Sequence, residues 1–132
     1  MLFLIVDDDE AFRMLCTHKL APHGECAVAC NGAQAVEIFT DHLAAGTPFR
    51  AVFMDIQMPG LDGHTVVDLL RKIEQAHKVT ATQAFKLIMV TAQTDTKNVC
   101  ESFFHGGADA YVPKPEIKTR LIPELKRIKL IE

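Results

Sequence analysis

The sequence predicts an α/β fold: a doubly wound sheet of five parallel strands, order 2-1-3-4-5, with about five helices on its two faces. Three observations carry this. Five short apolar runs, at residues 3–6, 26–30, 51–54, 87–90 and 110–112, are continuous rather than alternating, as strands covered on both faces are. The stretches between them carry apolar residues at helical spacing. The length of 132 residues suits one domain, 1–132, large enough to bury a core without staples.

After the first run, Phe12, Leu15, Cys16 and Leu20 form the apolar face of a helix over 11–20. Ala35, Val36, Phe39 and Leu43 do the same over 33–43, and Val66, Leu69, Leu70 and Ile73 over 66–73. Val99, Cys100, Phe103 and Phe104 mark a fourth helix over 98–105, stopped by Gly106 and Gly107. The polar connection 78–84 is longer than the usual few residues. Pro123 lacks an N–H and restrains its predecessor, which places the start of the regular last helix near Pro123 itself.

Composition excludes several function classes. With 48% hydrophobic and 23% charged residues and a net charge of −3, nucleic acid is not expected as a direct partner. No apolar run reaches the 18 or so residues of a membrane span. The apolar start at 2–6 is too short, and too quickly acidic, for a signal peptide. The Cys residues at 16, 26, 30 and 100 make no dense disulfide framework, so reduced thiols and a cytoplasmic setting are expected. Cys26, Val28 and Cys30 share one strand face, and a core role outweighs zinc because no second ligand pair completes four. The histidines at 18, 23, 42, 64, 77 and 105 are scattered, mostly surface positions. Six Lys/Arg against two Asp/Glu over 114–129 read as a solvated helix face or a surface for an acidic partner.

The informative residues sit just past the end of each strand. The first strand ends in Asp7, Asp8, Asp9 and Glu10, the third in Asp55, the fourth in Thr91, and the fifth in Pro113, Lys114 and Pro115. Right-handed crossovers bring these ends to one sheet edge, where ligands of open α/β sheets bind at the point of strand-order reversal. Asp7, Asp8 and Asp55 converge there, with Thr91 and Lys114 on the far side. Adjacent carboxylates repel by about 4 kcal/mol per pair at an effective dielectric near 20, so either they are well hydrated, or one is protonated, or a cation sits among them. Hard oxygen ligands favour Mg²⁺, and a lysine and a hydroxyl add what a phosphoryl group needs. Taken singly, an acidic run is more often a helix cap, which suffices for Asp9 and Glu10; four such groups at four strand ends make coincidence improbable.

These residues, with the segments 4–9, 52–63, 90–92 and 107–115 in order and spacing, resemble a receiver domain of two-component response regulators over essentially the whole chain. The resemblance implies a flavodoxin-like fold and a phosphorylation-controlled switch. It implies that Asp55 accepts a phosphoryl group from a histidine kinase or phosphotransfer protein. It also implies Mg²⁺, with Mn²⁺ as a substitute, held by Asp8, Asp55 and the Gln57 carbonyl, with Asp7 acting through water. Thr91 and Lys114 then bind phosphoryl oxygens, Thr91 and Tyr111 form the switch, and the Lys114–Pro115 bond is cis. A downstream protein is expected at the face around Tyr111 and the last helix. Turnover is limited to self-phosphorylation and self-dephosphorylation, so an enzyme is not expected. The wording of residues 55–59 and the long connection 78–84 resemble receivers at the end of hybrid histidine kinases. Two rivals stand beside this: a haloacid-dehalogenase-like phosphatase with Asp7 as nucleophile, and a pseudo-receiver that binds without phosphate.

Overall fold

The apolar runs become strands β1 (Leu2–Val6), β2 (Glu25–Ala29), β3 (Ala51–Asp55), β4 (Lys86–Thr91) and β5 (Ala110–Pro113). They form one sheet in the order β2-β1-β3-β4-β5, and every neighbouring pair is parallel. Helices α1 (Glu10–Leu20), α2 (Gly32–Ala44), α3 (Gly63–Ala76) and α4 (Ile117–Arg127) flank it. This computed structural model describes residues 1–55, 60, 63–92 and 108–132, the Thr91 side chain excepted. The helix expected over 98–105 lies outside the described residues, as does Gln57.

Pleating splits the sheet into two cores. Leu4, Val6, Val52, Met54, Leu87 and Met89 face one side, where they meet Ala35 and Phe39 of α2 and Val66, Val67 and Leu70 of α3. Phe3, Ile5, Ala51, Phe53, Ile88, Val90, Ala110 and Val112 face the other, against Phe12, Cys16 and Leu20 of α1 and Ile117, Leu121 and Leu125 of α4. Alternate residues of one strand thus feed opposite cores, which is why the runs are continuous. Burial also pushes the Cys16 thiol up to about 12, and the Cys26 thiol to about 11, so neither is a ready nucleophile. Among the described residues no helix is long and apolar enough to cross a membrane.

Three expectations need correction. β2 is an edge strand with β1 as its sole sheet neighbour, and its outer face is not core. Val28 is 43% exposed, and Cys26 and Cys30 are only half-buried. The last helix does not begin at Pro123 but runs through it, from Ile117 to Arg127. Pro123 is exposed, so the carbonyl it leaves without an N–H partner lies on the wet side. Ile117, Leu121 and Leu125 meanwhile anchor the opposite stripe to the core. The Lys114–Pro115 bond is trans, since no described peptide bond is cis. Pro115 lies in the first turn of a 3₁₀ segment, Lys114–Glu116, where a fixed φ and a missing N–H fit without isomerisation.

The long connection after α3 is held by a polar clamp. Glu74, buried to 6% exposure, accepts the Phe85 N–H at 2.9 Å through Oε2 and Arg71 Nη1 at 3.0 Å through Oε1. Arg71 also donates to the Phe85 carbonyl at 2.9 Å and lies 3.7 Å above the Phe85 ring. The clamp closes the chain onto the start of β4. Glu74→Ala leaves the buried Phe85 N–H without its acceptor and removes the carboxylate partner of Arg71, and should cost about 2 kcal/mol. The check is thermal or urea unfolding; a midpoint equal to wild type would contradict the clamp.

Candidate functional site at the β1–β3 edge

Register builds the site. Val6 pairs with Met54, so Asp7 and Asp55 leave neighbouring strands side by side. Both share pleat parity with Ile5 and Phe53, and so turn toward the α1 and α4 side. Asp55 pairs with Val90 and Thr91 with Pro113, which brings Lys114 to the same edge. β1 is followed by a helix on one face and β3 by a helix on the other. The switch point between β1 and β3 is therefore where the acids collect.

Ligand oxygens of Asp7, Asp8 and Asp55 all lie within 4.8 Å of one another. Asp7 is 1% and Asp55 5% exposed, while Asp8 is exposed to solvent. Lys114 Nζ bridges the two buried members, 2.8 Å from Asp7 Oδ2 and 3.1 Å from Asp55 Oδ2. The contact to Asp7 is a close ion pair without a well-directed hydrogen bond, whereas Lys114 donates properly to Asp55. Burial by itself lowers the Lys114 pKa, but the Asp7 and Asp55 carboxylates outweigh it and hold the pKa above the ordinary 10.5. The ammonium is therefore present throughout the neutral range, and its contribution fades only as pH climbs through that raised value.

α1 supplies the rest. Asp9 caps the helix, its Oδ1 accepting the Ala11 and Phe12 N–H groups at 3.0 and 3.3 Å, so its carboxylate is engaged as a helix cap should be. The Asp9 N–H in turn donates to Asp7 Oδ1 at 2.9 Å. The Phe12 ring centroid lies 4.7 Å from Lys114 Nζ, a cation–π contact on the ammonium's inner side. Arg13 Nη1 donates to the Asp7 carbonyl at 2.7 Å. Neither side chain was marked by the sequence as a site residue. Phe12 reads there as a core position, and Arg13 carries no assignment there.

The structure thus brings together Asp7, Asp8, Asp55 and Lys114. Thr91 ends β4 at the same edge, its side chain outside the described residues. Tyr111 lies in β5 on the α2–α3 side of the sheet, and its hydroxyl accepts the Ala108 N–H at 2.8 Å. The donor set fits a hard divalent cation: three carboxylates, one open to solvent, two held by a single ammonium that leaves the cluster with an excess of negative charge.

Comparison with known proteins gives a consistent picture. The family model "Response regulator receiver domain" matches residues 3–126. A probable transcriptional regulator, ycf27, of Cyanidium caldarium is 33% identical over 130 residues, which are 95% of this chain and 46% of that protein. The DNA-binding transcriptional regulator NtrC of Escherichia coli strain K12 is 35% identical over 112 residues, 84% of this chain and 21% of that one. The chain therefore spans less than half the length of these two relatives. Among solved structures, the receiver domain of the histidine kinase CKI1 from Arabidopsis thaliana, complexed with Mg²⁺ and BeF₃⁻, superposes with a TM-score of 0.79 at 26% identity, covering 98% of this chain and 90% of that one. The response regulator TrrA from Thermotoga maritima, with Mg²⁺ and beryllofluoride, gives 0.71 at 28% identity, covering 96% and 97%.

Lys114→Met keeps bulk but leaves two buried carboxylates facing each other. It should cost about 3 kcal/mol of stability near neutral pH. Unfolding curves check this, and a midpoint equal to wild type would contradict the bridging role.

Proposed function

The chain belongs to the response regulator receiver domain family, and from that premise we propose that Asp55 is its phosphoacceptor and Lys114 the cation that attends the transfer. The observation that carries this is the Lys114 ammonium seated between Asp7 and Asp55 within the acidic cluster. Against the phosphatase alternative, Asp7 is 1% exposed, with Oδ1 accepting the Asp9 N–H and Oδ2 facing the Lys114 ammonium.

In the proposed reaction an Asp55 carboxylate oxygen attacks phosphorus in line. The O–P bond forms as the P–N bond to a phosphohistidine breaks, and the departing imidazole takes up a proton. The histidine belongs to a kinase or a phosphotransfer protein. Asp8, Asp55, the Gln57 carbonyl and, through water, Asp7 are the groups that would hold Mg²⁺ or Mn²⁺. Bound there, the cation supplies charge neutralisation for the phosphoryl oxygens. Lys114 is already on Asp55 Oδ2 and needs only a small shift to follow the charge onto the phosphoryl group, preorganised stabilisation in the usual sense. Thr91 is the matching donor from β4. The product is an acyl phosphate; water attacks phosphorus, returning carboxylate and inorganic phosphate. Turnover is confined to this one self-reset.

The signal leaves through β5 and α4. The Tyr111 hydroxyl rests on the Ala108 N–H. Drawing Thr91 toward the phosphoryl group shifts the population in which the ring leaves that contact, by the difference in interaction between the two states. A downstream protein then binds at the face around Tyr111 and α4 in the cytoplasm.

Incubation with a small acyl-phosphate donor and Mg²⁺ should add one phosphoryl group to the wild-type mass. Asp55→Asn should add none. An undiminished adduct in the variant would defeat the assignment.

A further inference from the structure

We propose that Arg13 is a positioning residue that aims Asp8 into the acidic cluster by fixing the peptide between Asp7 and Asp8; the proposal rests on the phosphoacceptor reading of Asp55. β1 ends at Val6. Beyond it the Asp7 N–H still reaches the Ala29 carbonyl at 3.1 Å, while the Asp7 carbonyl accepts from a side chain, Arg13 Nη1, at 2.7 Å. A charged donor at that distance makes one of the stronger hydrogen bonds a protein offers. The peptide is planar, so holding the Asp7 C=O also sets the nitrogen and Cα of Asp8.

That matters because of how Asp8 differs from its neighbours. Asp7 is tied by the Asp9 N–H and Lys114, and Asp55 by Lys114. Asp8 is exposed, and among the described residues its carboxylate has no hydrogen bond or ion pair. The backbone sets where its Cα stands and hence the region its carboxylate can reach; the Asp7 carboxylate holds the peptide after Asp8, and Arg13 grips the one before it.

Arg13 is itself well placed to hold still. Its N–H donates to the Asp9 carbonyl at 3.0 Å, closing the first turn of α1, and its carbonyl accepts the Thr17 hydroxyl at 2.8 Å. The side chain lines an open groove with Met14, Thr17, Cys26 and Val28, so it comes at Asp7 from outside the cluster. It adds positive charge on the backbone without occupying the space between the carboxylates.

The test titrates Mg²⁺ into wild type, Arg13→Met and Arg13→Lys by calorimetry. Thermal melts without metal and acyl-phosphate labelling rates across Mg²⁺ concentration accompany it. Arg13→Met keeps the apolar stem and loses the grip; it should bind Mg²⁺ roughly tenfold more weakly, the usual scale for losing a group that orients a metal ligand. Its labelling rate at saturating Mg²⁺ should return to within about twofold of wild type, because only the binding of the ion is weakened. Arg13→Lys, with charge and a donor retained, should recover most of the affinity. Arg13→Gln serves as a second variant if the methionine substitution unfolds the chain, and should fall the same way. Mg²⁺ affinity in a folded Met or Gln variant within about twofold of wild type would overturn the proposal while leaving the phosphoacceptor reading intact. A wild-type protein that neither binds Mg²⁺ nor gains a phosphoryl group would overturn both.

Discussion

Three carboxylates forced onto one edge of a sheet are the constraint around which this chain is arranged. Asp7 and Asp55 are almost fully buried, and at an effective dielectric near 20 two such charges in contact repel by about 4 kcal/mol. Lys114 meets both at ion-pair distance and turns the repulsion into a bridged arrangement. One ammonium cannot balance three acids, and the excess negative charge is what makes the edge receptive to a divalent cation and then to chemistry on phosphorus. A site neutralised completely would fold more comfortably and do less.

The rest of the fold serves that edge. Parallel pairing of β1 with β3 sets Asp7 beside Asp55, and β4 and β5 carry Lys114 across. α1 ties the site from one side through three contributions. Asp9 stops at its own helix N-terminus, Phe12 backs the ammonium, and Arg13 holds the Asp7 carbonyl. At the far end of the sheet the Glu74–Arg71–Phe85 clamp fixes where β4 begins, and so where Thr91 ends it.

The sequence made the sheet legible wherever both faces of a strand are buried. β1, β3 and β4 carry unbroken apolar runs because alternate residues feed two cores. β2 misled for the opposite reason. Its run of small apolar residues looks central, yet as an edge strand it leaves Val28 and the flanking cysteines partly open. Pro123 misled because local propensity was weighed without the buried stripe of Ile117, Leu121 and Leu125 that carries the helix past it. The acidic residues and Lys114 were readable because each stands at or just past the end of a strand. Arg13, Phe12 and Glu74 were not, since their roles depend on which neighbour a side chain reaches. An arginine on a helix, a core phenylalanine and a glutamate near a helix end look the same whether or not they do anything further.

Asp55, and not another carboxylate of the cluster, is the residue on which the phosphoryl group should reside. Borohydride reduction of the phosphorylated protein converts an acyl phosphate into a stable alcohol, homoserine, at the modified residue, and peptide sequencing by mass spectrometry then locates it. Homoserine is expected at position 55 alone. Homoserine at position 7 would instead make Asp7 the nucleophile, and an unmodified Asp55 in protein that has demonstrably gained a phosphoryl group would contradict the assignment outright.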